Sequence, residues 1–158
     1  AVFGSLLAVE EGRLLAGDPL SPNPPSDRCC NGGEAYVYRL DSGSWTPAET
    51  FPTTEHAAED RFGYSTAIDG DWAVIGAPRA SHVISDIGEV FVYRSDGSGG
   101  WNQRMTIRSP SPAEDGHFGF AAAVGDTHLA VAEPDAQRGD DSWGYVYVWP
   151  LDAFGRGK

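Results

Sequence analysis

The chain has 158 residues, 41% of them hydrophobic and 22% charged, which admits one domain with a sizeable core. Its 20 Gly and 11 Pro interrupt the chain too often for long helices and point to short strands and turns. Eleven Lys plus Arg against 23 Asp plus Glu leave a net charge of −12, which argues against nucleic acid or an anionic membrane as the main partner. No apolar run approaches the roughly 20 residues that a membrane span requires. The first residues lack a signal peptide's basic start and apolar core, so the expectation is a soluble mature product or a fragment, with no membrane insertion.

In chain order, a 17-residue pattern opens the sequence at Phe3 to Pro19 (FGSLLAVEEGRLLAGDP) and returns without gaps at Phe62 to Pro78 (FGYSTAIDGDWAVIGAP) and Phe118 to Pro134 (FGFAAAVGDTHLAVAEP). After each Pro a variable loop leads to a second shared segment: Gly33 to Tyr38, Gly88 to Tyr93 and Gly144 to Trp149. A third segment, Trp45 to Phe51 and Trp101 to Ile107, appears twice, each time followed by an acidic stretch before the next Phe-Gly.

Each unit reads as up to four short strands. In the second unit, Ser65 to Ile68 is the first strand. A tight turn at Asp69-Gly70-Asp71 returns the chain as Trp72 to Ile75, a hairpin by its turn chemistry. Residues 89–94 make the third strand, where Phe91 and Tyr93 alternate with Val90 and Val92. Both faces are apolar, and a sheet with two apolar faces must be covered on both, as in sheets stacked on copies of themselves. Trp101 to Ile107, with Gln103, Arg104 and Thr106 interleaved, has the polarity of an outer edge strand. The expected fold is therefore all-β: a β-propeller segment of three blades, each of four antiparallel strands. Blade 1 spans about 1–57, blade 2 about 58–113 and blade 3 about 114–158, the last without its outer strand. Propellers close with about four to eight blades, so three leave the ring incomplete. The rest of a longer chain, or other copies of this one, would complete it.

Phe62-Gly63 and Gly76-Ala77-Pro78, with Gly88 to Tyr93 and the Trp-led strand, resemble the FG-GAP repeat, the blade type of integrin α-subunit propellers and of many secreted or surface proteins of microbes. The resemblance covers nearly the whole chain and is closest to the calcium-free variant; Ala132-Glu133-Pro134 departs from it in the third unit. Calcium, which integrin-type blades bind in a long first-hairpin loop, is possible only by analogy. The turns Glu10-Glu11-Gly12, Asp69-Gly70-Asp71 and Gly125-Asp126-Thr127 are too short to supply its six to eight oxygens, so no cofactor is expected. The motif's Gly and Pro read as scaffold, Gly63 for close backbone approach and Pro78 for ending a strand.

Few residues suggest chemistry. Of four histidines, His117 stands beside Glu114 and Asp115, in a pattern that suits a metal or an acid–base pair, but the equivalent residue one unit earlier is Arg61, which favours a solvated loop. Cys29 and Cys30, the only cysteines, are adjacent, so a bond between them would be strained. A vicinal disulfide, bonds to other cysteines and two free thiols all remain open, and a secreted context favours oxidation. Arg138-Gly139-Asp140 spells the tripeptide that integrins recognise, on a Gly- and Asp-rich loop, although chance accounts for such a triplet in this composition. Trp72 and Trp143 are candidate sugar-stacking platforms, with core packing the alternative.

These residues lead to the expectation of a non-enzymatic, extracellular or cell-surface scaffold or adhesive module that binds protein or glycan through loops at 20–32, 79–87 and 135–143. Two alternatives stand beside it: a structural subunit assembling through open blade faces, and a fragment of a propeller-based polysaccharide-degrading enzyme.

Overall fold

A computed structural model of the chain describes residues 3–4, 6–22, 31–51, 57–81, 85–138 and 141–154. Among them the protein is all-β. The first sheet holds β1 (Leu6–Glu10), β2 (Arg13–Asp18), β3 (Glu34–Asp41) and β4 (Ser44–Thr50), paired in that order. The second holds β5 (Ser65–Asp69), β6 (Trp72–Ala77), β7 (Glu89–Ser95) and β8 (Trp101–Arg108). In the third, β9 (Ala121–Val124) and β10 (His128–Glu133) pair, and β13 (Tyr145–Pro150) lies on the far side of β10. A small hairpin, β11 (Gln137–Arg138) with β12 (Asp141–Ser142), projects between β10 and β13, and a 3₁₀ turn at Leu151–Phe154 follows. All pairings within these sheets are antiparallel. No helix among the described residues is long and apolar enough to cross a membrane.

Local chemistry accounts for the hairpins. Glu11 and Gly12, at φ of 39° and 77°, join β1 to β2 with both turn residues left-handed, the type I′ arrangement that matches strand twist. In the second sheet Asp69 pairs with Trp72, so Gly70-Asp71 is the turn, and only Gly70 takes positive φ. The two outer strands carry the same irregularity: register shifts between Val37 and Tyr38 against β4, and between the equivalent Val92 and Tyr93 against β8. A bulge that recurs at one place in two copies belongs to the repeat.

The first strands of the three sheets lie side by side, β5 between β1 and β9. The two faces of the middle sheet enter different cores. Phe62, Ile75, Phe91 and Tyr93 pack with Leu15, Ala35 and Val37 of the first sheet. Val74, Val90 and Val92 pack with Phe118, Leu129 and Val131 of the third. The alternation of aromatic and β-branched residues in β7 thus becomes a stacking rule, by which the aliphatic face of one sheet receives the aromatic face of the next.

The Phe-Gly pair is the joint. Phe62 forms a parallel bridge with Gly33 of the preceding sheet, and its amide donates to the Gly32 carbonyl at 2.8 Å. Phe118 repeats this on the Ile87 carbonyl at 3.0 Å, and both rings are fully buried. Phe3, which has no preceding sheet among the described residues, is 52% exposed and rests edge-on against Tyr36 of its own sheet. At the other end of the stack, Val146 and Val148 are 67% and 59% exposed on the aliphatic face of the third sheet.

Candidate ligand-binding surface

The loops that follow β2, β6 and β10 leave from the end of the stack at which β1, β5 and β9 begin. At this end a groove of about 580 Å³ opens between the sheets. It is lined by Leu6, Pro19 and Leu20 from the first sheet, Arg61 and Tyr64 from the second, and Phe120 and Ala121 from the third. Its volume falls in the range of small-ligand sites, about 300–1,000 Å³.

A tight turn positions its polar residue. The Tyr64 amide donates to the Arg61 carbonyl at 3.1 Å, and the Arg61 amide donates to the Asn31 carbonyl at 3.2 Å, with Arg61 held at a φ of 59°. The third sheet repeats the turn, with the Phe120 amide on the His117 carbonyl at 3.1 Å and His117 at a φ of 54°. Tyr64 and Phe120, the residues just after each Phe-Gly, meet with ring centroids 5.1 Å apart. Phe120 remains 46% exposed, so the pair forms an aromatic wall.

Equivalent positions in the two turns are neutralised differently. His117 Nδ1 lies 2.9 Å from Asp135 Oδ2. In the second sheet the position of Asp135 is occupied by Arg79, which pairs instead with Asp86 at 2.9 Å. Arg61 therefore faces no counterpart of Asp135. Its Nε is buried without a hydrogen-bond partner, and no ion pair reaches it among the described residues.

The residues singled out from the sequence scatter around this end and its opposite. His117 does approach carboxylates: Asp86, Asp115 and His117 each offer a ligand atom within 4.8 Å of the others. Arg79 also engages Asp86, and Asp135 engages His117, each at 2.9 Å. Trp143 is 62% exposed beside the β11–β12 hairpin. Arg138 pairs with Asp141 in that hairpin, and Gly139 and Asp140 of the tripeptide lie outside the described residues, as do Cys29 and Cys30. Trp72 starts β6 at the far end of the stack, under the Arg94 guanidinium at 5.3 Å from its ring centroid. It lines a separate cavity of about 350 Å³ with Asp126, His128 and Asp152. Trp72 and Trp143 thus stand at opposite ends and form no common platform.

Sequence reasoning passed over Arg61, Tyr64 and Phe120 as parts of a site. A signal was present: the residue after Phe-Gly is aromatic in two units, at a position ahead of the strand alternation that needs no core side chain. What the sequence did not display is that these two positions converge, with Arg61 beside them.

No curated protein matches the chain. The family model of the FG-GAP repeat matches residues 45–93, from the outer strand β4 of the first sheet through β7 of the second. The matched stretch includes the Phe62-Gly63 side of a sheet-to-sheet joint, whose partner Gly33 lies before the match. The all-β stacked sheets and this match agree, and the chain carries an FG-GAP repeat.

Proposed function

We propose that this chain is a non-enzymatic β-propeller binding module of the extracellular space or cell surface, which holds a protein or glycan partner at the end of the stack where the groove opens. The observation that carries this reading is the groove itself, to which all three sheets contribute and whose lining, among the described residues, is apolar and aromatic apart from Arg61 and the Tyr64 hydroxyl. Such a lining suits recognition through apolar and ring contacts with a single fixed polar contact. The extracellular placement rests on the likeness to surface-protein blades and on the adjacent Cys29 and Cys30 of the sequence.

Binding of the chain to arrays of glycans and of extracellular matrix proteins tests this. A partner should appear whose affinity falls about two- to tenfold on Tyr64→Ala and again on Phe120→Ala, the worth of one aromatic contact each. Turnover of a polysaccharide by the chain, or a partner indifferent to both substitutions, would defeat the reading.

Assembly through open faces is the second reading, favoured by the exposure of Val146 and Val148 at one end and Phe3 at the other.

A further inference from the structure

Within the binding-module reading, on which this inference rests, the chemistry of the groove selects one kind of ligand. We propose that it binds an organic carboxylate with a ring or short hydrocarbon body, the carboxylate on the Arg61 guanidinium and the body along the Tyr64–Phe120 wall.

Three observations converge on this. First, among the described residues Arg61 is the only charged one lining the groove, and none of their ion pairs engages its guanidinium. A ligand carboxylate would supply the charge partner that no described residue gives this guanidinium. Second, the repeat supplies an internal control. At the equivalent turn His117 has its carboxylate within the chain, on Asp135, whereas the second sheet carries Arg79 at that position and sends it to Asp86. The second sheet thus presents a cation in the same local geometry with the anion missing, and a carboxylate from a ligand supplies what Asp135 supplies next door. The guanidinium fork matches a carboxylate in a way that a point charge does not. Third, Leu6, Pro19, Leu20, Ala121 and the aromatic pair form the rest of the described lining, which offers no ring of side-chain donors and acceptors to satisfy a polyhydroxylated ligand. The body is therefore apolar or aromatic, and its contact with the exposed Phe120 ring adds burial that the free protein lacks.

Matched probes separate charge from shape: 3-phenylpropionate, its neutral analogue 3-phenylpropionamide, and glucuronate, each titrated against the whole chain while the ring resonances of Tyr64 and Phe120 are followed by NMR. Phenylpropionate should shift both rings and bind about tenfold or more tightly than the amide, the worth of a charge-assisted hydrogen bond. Arg61→Ala should erase that preference, and Arg61→Lys should restore only part of it, with unchanged thermal melting showing that both variants fold. Equal binding of acid and amide, or no binding of either, overturns the proposal. Binding of glucuronate without phenylpropionate overturns the apolar body. If a partner from the arrays depends on Tyr64 and Phe120 but is unaffected by Arg61→Ala, the carboxylate inference fails while the binding-module reading stands.

Discussion

Gly76 shows how a single missing Cβ sets the distance between sheets. A methyl group built there falls well inside contact distance of the Gly119 carbonyl oxygen, and Gly17 meets Gly63 in the same way at the first joint. The obstacle is backbone, which cannot swing aside as a long side chain can. Gly76→Ala should therefore destabilise the fold by about 1–3 kcal/mol through overpacking at the joint, read as a lower midpoint in urea denaturation. Gly125, where a Cβ meets nothing, is the matching control, expected to accept Ala with little change. The scaffold role of this motif was legible from residue type alone, since glycine is the residue that permits close backbone approach. Arg61 was legible only as a loop residue, because the absence of its anion is a fact about where Arg79 and Asp135 point.

At the scale of elements, buried carboxylates stitch the seams. Glu133, at the end of β10, is fully buried and accepts from Ser109 Oγ at 2.7 Å, just beyond β8 of the neighbouring sheet. Glu89 in β7 is likewise buried and pairs with Arg108 of β8, and Glu34 in β3 holds Ser21 and Tyr36. Burial raises the Glu133 carboxyl above the usual carboxylate range, against the opposing hydrogen bonds from Ser109 and Tyr147. With the folded value raised, the native state binds the proton more tightly than the unfolded chain. The resulting stability is full below the ordinary carboxylate range and is lost as pH rises through the raised value. Urea midpoints measured from pH 4.5 to 8 should fall over this window for the wild type, and Glu133→Gln should flatten the dependence and be the more stable protein at pH 8. A variant that keeps the wild-type slope would assign it to another group. The strands themselves were readable from period-2 patterning and turn residues, and the outer strands pair on one side only, as their interleaved polar residues suggested. Trp101 is the departure: this first residue of β8 is buried against Phe51. Outer-strand polarity described the middle of the strand and not its anchored end.

At the scale of the whole molecule, two unlike faces remain uncovered by the described residues, aromatic on the first sheet and aliphatic on the third. Tyr93 is fully buried in the joint between sheets, whereas its equivalent Tyr38 meets the exposed Phe3 of its own sheet. Faces of these two kinds already meet twice within the chain, so head-to-tail association is the expected outcome at high protein concentration. Ala132 works against it, since the two joints already formed have glycine at this position, in Gly17 and Gly76. Sedimentation should show weak, concentration-dependent association of the chain that Ala132→Gly strengthens and Val146→Lys abolishes. A monomer at every concentration, with Ala132→Gly without effect, would remove assembly as a reading.

The sequence by itself determined the repeat, the strands, their two-faced character and the need for stacking, because these follow from period, turn chemistry and the presence or absence of a Cβ, all local properties of the chain. Only the tertiary structure decided which face meets which neighbour, that Tyr64 and Phe120 share a wall, and that Arg61 lacks the carboxylate its counterpart has. Those depend on contacts between residues more than 50 positions apart, such as Tyr64 and Phe120, and on charge pairing, which is set by where side chains point once the sheets have stacked.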